Sequence, residues 1–98
     1  MRKTDLLREM SNTIYLKTIN MEIEKRLKKL FSETFNVPEE KITPDTRPSN
    51  LAEWDSLGHL RLFMNIESEF QISFHIDEIK ELTSLEMILE MVKEKIAL

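Results

Sequence analysis

From Met21 onward, apolar residues recur at the spacing of an α-helix. A first stripe at i, i+4, i+7, i+8 and i+12 predicts an amphipathic helix, and its apolar residues are Ile23, Leu27, Leu30, Phe31 and Phe35. Pro38 ends this helix, because a proline disfavours the α conformation in the residue before it. Residues 36–54 then form a connection with three prolines that is too long for a simple turn. Its apolar anchors are Val37, Ile42 and Leu51.

A second helix is predicted to begin after Asp55, a residue type that caps helix N-termini well. This leaves Ser56 at the first helical position. The apolar residues that follow at helical spacing are Leu57, Leu60, Leu62, Phe63, Met64, Ile66 and Phe70. Residues 72–76 alternate over too short a stretch for a strand. We expect a buried extended link there, with Ile72, Phe74 and Ile76 as its apolar residues.

The C-terminal part predicts one short helix and one longer helix. Asp77 is the expected cap of a short turn that carries Ile79 and Leu82. Residues 83–86 match the capping box, in which Thr83 and Glu86 satisfy each other's end amides. The apolar stripe that follows is Leu85, Ile88, Leu89, Val92 and Ile96. The predicted fold class is therefore all-α, a small four-helix bundle with three main helices, one short helix and a long first loop.

Residues 1–20 have a weaker pattern than the rest of the chain. Four apolar residues can line one face of a helix, namely Leu6, Leu7, Met10 and Ile14. Residues 11–13, Ser-Asn-Thr, interrupt that face with side chains that compete for backbone hydrogen bonds. We therefore predict a flexible extension over 1–20 and a helical domain over 21–98. A helix that packs on the domain is the alternative for residues 1–20.

Length and composition exclude several classes of protein. The 98 residues fit one domain. The absence of cysteine excludes a disulfide, a thiolate metal site and a cysteine nucleophile. A single glycine excludes a P-loop and a dinucleotide-binding turn. No apolar run is long enough to span a membrane and no signal-like stretch follows the N-terminus, so we expect a cytoplasmic protein without a membrane partner.

The net charge of −4 is unevenly distributed. Residues 1–20 carry four basic and two acidic side chains, so the remainder has ten basic and sixteen acidic ones. An acidic domain repels a phosphate backbone, and we expect a basic protein surface rather than nucleic acid as its partner. Nothing beyond the ordinary apolar stripes requires a dimer, so a monomer is expected.

Asp55, Ser56 and His59 have the residue types of a catalytic triad. Ser56 and His59 are i, i+3 neighbours on a helix, with Asp55 one turn before the histidine. A serine hydrolase is disfavoured, because one convex helix face converges poorly on a substrate and no glycine-rich turn offers an oxyanion hole. His59 and His75 lack a spaced set of further ligands. No metal site is expected, and both histidines are interpreted as surface or capping residues.

Ser56 does occupy a favourable position for a phosphate. The start of a helix presents free amides and the positive end of its dipole, which stabilise an attached anion. The long loop before it leaves the serine accessible to an enzyme. By spacing alone, an ordinary Asp-Ser helix start is the simpler interpretation.

The residues around Ser56 resemble a known family. Residues 53–60, Glu-Trp-Asp-Ser-Leu-Gly-His-Leu, resemble the Asp-Ser-Leu phosphopantetheine attachment motif of acyl carrier proteins. The helix over 21–35, the loop over 37–45, Leu51, and residues 66–70 and 82–85 are similar to that family as well. The likeness extends over residues 21–97 and favours a modified serine over an ordinary helix start.

The resemblance implies a mechanism and a set of partners. A phosphopantetheinyl transferase would join the Ser56 hydroxyl to the phosphate of 4′-phosphopantetheine from coenzyme A, and the thiol of that arm would hold acyl groups. Asp55 would cap the helix and help to position metal and phosphate in the transferase. Acyl-loading and acyl-transferring enzymes would be the other partners of a protein that is not itself an enzyme. Acyl chains can enter between helices in this family, where Met64, Met87 and Met91 would make the core adaptable.

The expected partner contacts lie on and beside the second helix. They are Trp54, Leu57, Leu60, Arg61, Met64 and Glu67. Carriers of primary fatty-acid synthesis tend to have a densely acidic second helix, whereas this one has Arg61 in its first half and acids such as Glu67 only in its second. This charge should favour different partners. Trp54 replaces a small residue that is frequent in the family, and it is either a partner contact or a lid on the loop.

These departures predict a specialised carrier that serves a lipid, polyketide, peptide-like or surface-sugar pathway. An aminoacyl or peptidyl carrier, which shares the fold and the serine, is one alternative. A non-catalytic helical interaction module is the other. Without cysteine in the chain, the thiol of an attached arm has no intramolecular competitor for acyl groups.

Overall fold

The computed structural model describes the backbone of residues 3–96 and the side chains of residues 17–96. This part of the chain contains four α-helices and no strand: α1 (Lys3–Phe35), α2 (Ser56–Phe70), α3 (Ile76–Glu81) and α4 (Leu85–Ile96). Two short 3-10 turns, Glu39–Lys41 and Pro48–Asn50, lie in the long loop between α1 and α2. The predicted all-α bundle with three main helices, one short helix and a long first loop is thus confirmed.

The hydrophobic core combines α1, α2, α4 and the long loop. Its most deeply buried side chains are Leu27 and Phe31 of α1, Leu62, Phe63 and Ile66 of α2, and Leu85, Ile88 and Val92 of α4. The predicted loop anchors Val37, Ile42 and Leu51 are buried as well. The loop is therefore a packed part of the domain, and its course is fixed by the same core that holds the helices.

α1 is longer than the apolar pattern predicts. The expected start was Met21, but the helix runs without interruption from Lys3 to Phe35. No proline or glycine occurs before Pro38, so residues 11–13 weaken the helix without supplying a residue that breaks it. Among the residues whose side chains are described, Ile19 is the first that packs against the core, where it is partly buried. The flexibility of residues 1–20 and a domain boundary after residue 20 stay predictions.

The end of α1 follows the predicted pattern. Asn36 adopts the left-handed conformation with φ of 55°, and the Val37 N–H turns back to donate to the Ser32 carbonyl at 3.1 Å. The Ser32 hydroxyl in turn donates to the Val37 carbonyl at 2.5 Å. Asparagine tolerates this conformation better than most residues. The chain therefore leaves the helix before Pro38, as expected.

The N-terminus of α4 differs from the predicted capping box. Ser84 is the capping side chain instead of Thr83, and its hydroxyl accepts from the Met87 N–H at 3.2 Å. The N–H groups of Leu85 and Glu86 donate to the carbonyls of Thr46 and Pro44, at 2.9 and 3.1 Å. The long loop thus satisfies the first amides of α4, so the helix needs no reciprocal bond from Glu86.

The link and the short helix before α4 also depart from expectation in part. Ile72 and Phe74 are partly buried against the core, as predicted for an extended link. Ile76 instead begins α3 and is 59% exposed. The residue before α3 is His75 rather than Asp77, because the Glu78 carboxylate accepts from the His75 N–H at 2.8 Å. The helix therefore begins one residue before the predicted cap.

Candidate functional site

Ser56 lies at the exposed start of α2. It is the first residue of the helix, and Asp55 is the N-cap. The Asp55 carboxylate accepts from the Gly58 N–H at 2.7 Å, and the Asp55 carbonyl accepts from the His59 N–H at 2.8 Å. These bonds confirm the predicted cap. The amides of Ser56 and Leu57 have no acceptor within a helix, so N–H groups and the positive dipole end lie beside the serine hydroxyl.

Gly58 allows α2 to begin close to α1. A Cβ atom at this position would lie 3.0 Å from Asp55 Oδ1, 3.0 Å from the Glu53 carbonyl oxygen and 3.0 Å from Phe35 Cε1. These separations are shorter than favourable non-bonded contacts, and one of the three atoms belongs to the backbone. The single glycine of the chain therefore permits the close approach that fixes where Ser56 lies relative to α1.

Trp54 belongs to the core rather than to the surface. Only 2% of the residue is exposed. Its ring meets Phe31 edge-on with centroids 5.2 Å apart, and it stacks on Phe35 at 5.7 Å and on His59 at 5.9 Å. This burial argues against the predicted partner contact at Trp54, because the ring offers little surface to another protein. The alternative, a residue that closes the loop onto the bundle, agrees with this packing.

His59 connects the end of the long loop to α3 through both ring nitrogens. The Trp54 Nε1–H donates to His59 Nδ1 at 2.9 Å, and His59 Nε2 lies 2.5 Å from the Ile79 carbonyl oxygen. An indole only donates and a carbonyl only accepts. Nδ1 therefore carries the lone pair, and Nε2 carries the proton that it donates to Ile79. With both nitrogens engaged, His59 has none free to act as a base for Ser56, which argues against the serine hydrolase.

The two histidines thus have different surroundings. His59 is half-buried and bridges two elements, so the prediction of a surface or capping residue is wrong for it. His75 is exposed and directly precedes α3, in agreement with that prediction. Among the described residues, no group of three or more histidine, aspartate or glutamate side chains could hold a metal ion. No helix in the described part of the chain is both long and apolar enough to cross a membrane.

A groove opens beside Ser56 between α2 and α3. Its volume is about 600 Å³. Ser56 and Asp55 contribute polar groups to it, and Leu60, Ile76 and Ile79 contribute apolar surface. Trp54 and His59 line it where it meets the bundle. No local signal indicates that Ile76 and Ile79 belong to the site, because their approach to Ser56 depends on how the link between α2 and α3 folds.

Three apolar residues of α2 face solvent. Leu57 is 66% exposed, Leu60 is 47% exposed and Met64 is 67% exposed. They were expected both in the apolar stripe of the helix and at the partner surface. The first expectation is wrong, because α2 buries a narrower stripe made of Leu62, Phe63, Ile66 and Phe70. A partner-facing role for the three exposed residues stays a prediction.

The remaining predicted contacts divide between surface and interior. Arg61 is exposed on α2. Glu67 is partly buried, and its Oε2 accepts from the Phe74 N–H at 2.8 Å, so this carboxylate is already engaged within the protein.

The idea of an adaptable methionine core fails for Met64 and for Met87, which is 45% exposed. Only Met91 is partly buried against the core.

Comparison with known proteins identifies the family to which this geometry belongs. Residues 25–92 match the family described as "Phosphopantetheine attachment site". The chain is similar to an acyl carrier protein of Buchnera aphidicola subsp. Baizongia pistaciae (strain Bp), with 33% identity over 72 residues, 74% of this chain and 92% of that relative. A solution NMR structure of holo acyl carrier protein from Geobacter metallireducens has a TM-score of 0.69 at 26% identity and covers 76% of this chain and 85% of its own.

The chain belongs to the acyl carrier protein family. The cofactor of this family is 4′-phosphopantetheine. The residues present fit such a group, because an exposed serine at a helix N-terminus is bordered by an apolar groove. The predicted family, fold and cofactor are thus confirmed.

Proposed function

We propose that Ser56 carries 4′-phosphopantetheine and that the chain is a specialised acyl carrier rather than an enzyme. The observation that supports this is the exposed serine at the start of α2, capped by Asp55 and bordered by the groove between α2 and α3. The amides and dipole at this helix start stabilise a phosphate on the serine oxygen. When attached, the group supplies a flexible arm whose terminal thiol is joined to acyl groups as thioesters.

The side chains around Ser56 perform two tasks for this attachment. Asp55 holds the first turn of α2 so that the Ser56 hydroxyl stays accessible to a phosphopantetheinyl transferase, and it helps to position metal and phosphate there. Leu60, Ile76 and Ile79 offer apolar surface against which the arm can lie. The chain itself therefore binds and presents the arm, while partner enzymes make and break the thioester.

Intact-mass measurement tests the attachment site. The protein is incubated with coenzyme A and a transferase of broad specificity, and a mass gain of one phosphopantetheine is expected. Ser56→Ala should abolish the gain, whereas Ser68→Ala, which changes another exposed serine of α2, should leave it intact. A gain that survives Ser56→Ala, or no gain with several transferases, would contradict the proposal.

The surface of Leu57, Leu60, Arg61 and Met64 is the proposed contact for loading and transferring enzymes. Its apolar side chains are exposed, and Arg61 gives this half of α2 a positive charge. Enzymes that recognise densely acidic carriers should therefore associate with it slowly. The pathway is accordingly a specialised lipid, polyketide, peptide-like or surface-sugar pathway.

Acylation by the host's fatty-acid enzymes tests this specialisation. We expect poorer charging of this carrier than of the housekeeping carrier under the same conditions. Arg61→Glu should raise the rate, whereas Lys25→Glu, the same charge change at an exposed position of α1, should not. Equal charging of the two unaltered carriers would exclude the specialised role. A monomeric state and a cytoplasmic location stay predictions.

A further inference from the structure

Four aromatic rings form a continuous row between the groove and the core. Trp54 stacks on His59 with ring centroids 5.9 Å apart, His59 lies 4.9 Å from Phe63, and Phe63 lies 4.9 Å from Phe74. Trp54 and His59 line the groove, whereas Phe63 is 1% exposed and belongs to the core. The row therefore separates the space beside Ser56 from the interior of the bundle.

The position of His59 in this row is fixed by its two hydrogen bonds. Nδ1 accepts from the Trp54 indole, and Nε2 donates to the Ile79 carbonyl of α3. The imidazole thus ties α2 to α3 at the side of the groove and holds the ring next to Trp54. Both bonds are partly buried, where a lost partner leaves a polar group unsatisfied. Opening a path past His59 requires both bonds to be given up.

The interior behind the row is filled by side chains. Ile66, Leu85 and Ile88 are each 0% exposed. Protein interiors are packed as densely as organic crystals, so an acyl chain would have to displace these side chains to enter. The groove, in contrast, is open beside Ser56 and needs no such displacement.

We propose that His59 is a specificity-determining residue that keeps the acyl chain of the cargo in the groove and out of the core. By bridging Trp54 to the Ile79 carbonyl, it closes the row of rings and holds α3 against α2. The inference rests on the proposed attachment at Ser56. It assigns to this carrier short or polar acyl groups, which gain little from an apolar interior, in preference to long aliphatic chains.

The hydrogen bond to α3 is tested first on the unmodified protein. His59→Asn keeps an acceptor near the Nδ1 position for Trp54 but loses the donor to Ile79. His59→Gln keeps a donor near the Nε2 position. Amide exchange of Ile79 and Leu82 should accelerate roughly fivefold in His59→Asn, as expected for the loss of one hydrogen bond, and should stay close to wild type in His59→Gln. Equal exchange rates in the two variants would show that the hydrogen bond from His59 does not hold α3.

The location of the cargo is tested on protein loaded with butyryl or decanoyl chains. In the wild type, methyl NMR should show decanoyl-dependent shifts for Leu60 and Ile79 of the groove and none for Ile66 and Ile88 of the core. In His59→Asn the core methyls should shift as well, and hydroxylamine should cleave the decanoyl thioester more slowly than the butyryl one. Core shifts in the wild type would overturn the inference.

The two proposals can fail separately. If Ser56 is not modified, the mass measurement reports it, and the amide exchange of the unmodified protein still reports on His59. If Ser56 is modified but the decanoyl chain of the wild type reaches the core, only the role of His59 is refuted.

Trp54→Phe, which keeps the stacked ring but removes the indole donor, should loosen His59 without removing bulk from the row. Decanoyl-dependent core shifts are therefore expected in this variant too, and their absence would count against the role of the Trp54 bond.

Discussion

α3 and α4 follow one another in the chain, but they are attached to the bundle in different ways. α4 contributes Leu85, Ile88, Leu89 and Val92 to the core, none of them more than 6% exposed. α3 buries no residue of its own, and only Leu82, just after it, is buried. We call α4 with its partners in the core the packed side, and α3 with the side chains that bind it the tied side.

The tied side is held by polar contacts in addition to Ile79, which is partly buried against the core. Lys95 of α4 donates to the Glu78 carboxylate at 3.1 Å, and its ammonium lies 5.0 Å from the Phe74 ring centroid. His59 donates to the Ile79 carbonyl from the other flank. Ion pairs that solvent can screen contribute little to stability, whereas burial stabilises in proportion to apolar area. The groove therefore lies next to the helix that can be moved at the lower cost in free energy.

The largest expected difference between the two sides comes from one substitution made on each. Ile88→Ala on α4 removes a fully buried side chain and should lower the free energy of unfolding by about 2–5 kcal/mol. Ile76→Ala on α3 changes a residue that is 59% exposed and should alter it by about 0.5 kcal/mol or less. Urea denaturation of both variants measures the difference. Similar losses in the free energy of unfolding would show that α3 and α4 do not differ in how they are attached.

A smaller effect is expected at Gly58, where α2 meets α1. Gly58→Ala forces a Cβ to within 3.0 Å of three atoms. Overpacking costs about 1–3 kcal/mol, and the better helix propensity of alanine returns about 1 kcal/mol, so a net loss of about 1 kcal/mol is expected. Because the start of α2 would shift, modification of Ser56 should also slow.

Chemical denaturation and the rate of mass gain measure these two consequences of Gly58→Ala. Ser68→Ala, an exposed change on the same helix, serves as the control and should affect neither quantity. A gain in stability of about 1 kcal/mol, as at an unconstrained helical glycine, would show that the contacts relax. Gly58 would then no longer be required for the close approach of α2 to α1.

The smallest effect is expected on the tied side and depends on pH. The His75 backbone N–H, and then the Lys95 ammonium, hold the pKa of the Glu78 carboxyl below its ordinary value of 4.5. A group with a lowered folded-state pKa contributes stability above its unfolded pKa and loses it as the pH falls through the folded value. Glu78→Gln should therefore be less stable than wild type at neutral pH, and the difference should vanish in acid.

Denaturation of the wild type and of Glu78→Gln across the acid range tests this prediction. Amide exchange in α3 gives a local reading: the protection factors, which correct for the intrinsic effect of pH on exchange, should fall in wild type on acidification and change less in the variant. Lys95→Met should reduce the dependence on pH without abolishing it, because the bond from His75 remains. A difference that persists unchanged in acid would mean that the charge of Glu78 does not hold α3.

Much of the fold could be predicted because its signals are local. The stripes of α1 and α4 follow a period of 3.6 residues, and the bond from Gly58 N–H to the Asp55 carboxylate spans three residues. The prolines of the long loop likewise predicted that the loop exists, and its apolar anchors predicted that it packs on the core. The start of α1 could not be predicted in this way, because residues 3–20 contain no proline or glycine that would mark where the helix begins.

Parts of the site could not be predicted from such signals. Leu57, Leu60 and Met64 fit the helical period of α2 as well as Leu62 and Phe63 do, and only the positions of the other helices decide which set is buried. The sequence around Trp54 is the same whether its ring contacts a partner protein or stacks on Phe35 of α1. In both cases, the neighbour that settles the question is distant in the chain.

The sequence by itself determined the apolar stripes of the main helices, the cap at Asp55 and the position of Ser56, because each depends on residues within a few positions of one another. The family could be identified as well, because its motif and its apolar pattern extend over most of the chain. Only the tertiary structure decided that His59 bridges Trp54 to Ile79, twenty residues away. The same holds for the α4 amides that donate to Thr46 and Pro44. Such bonds depend on where the long loop and the link bring the chain back, and burial then makes them matter, because an unpaired buried polar group is costly.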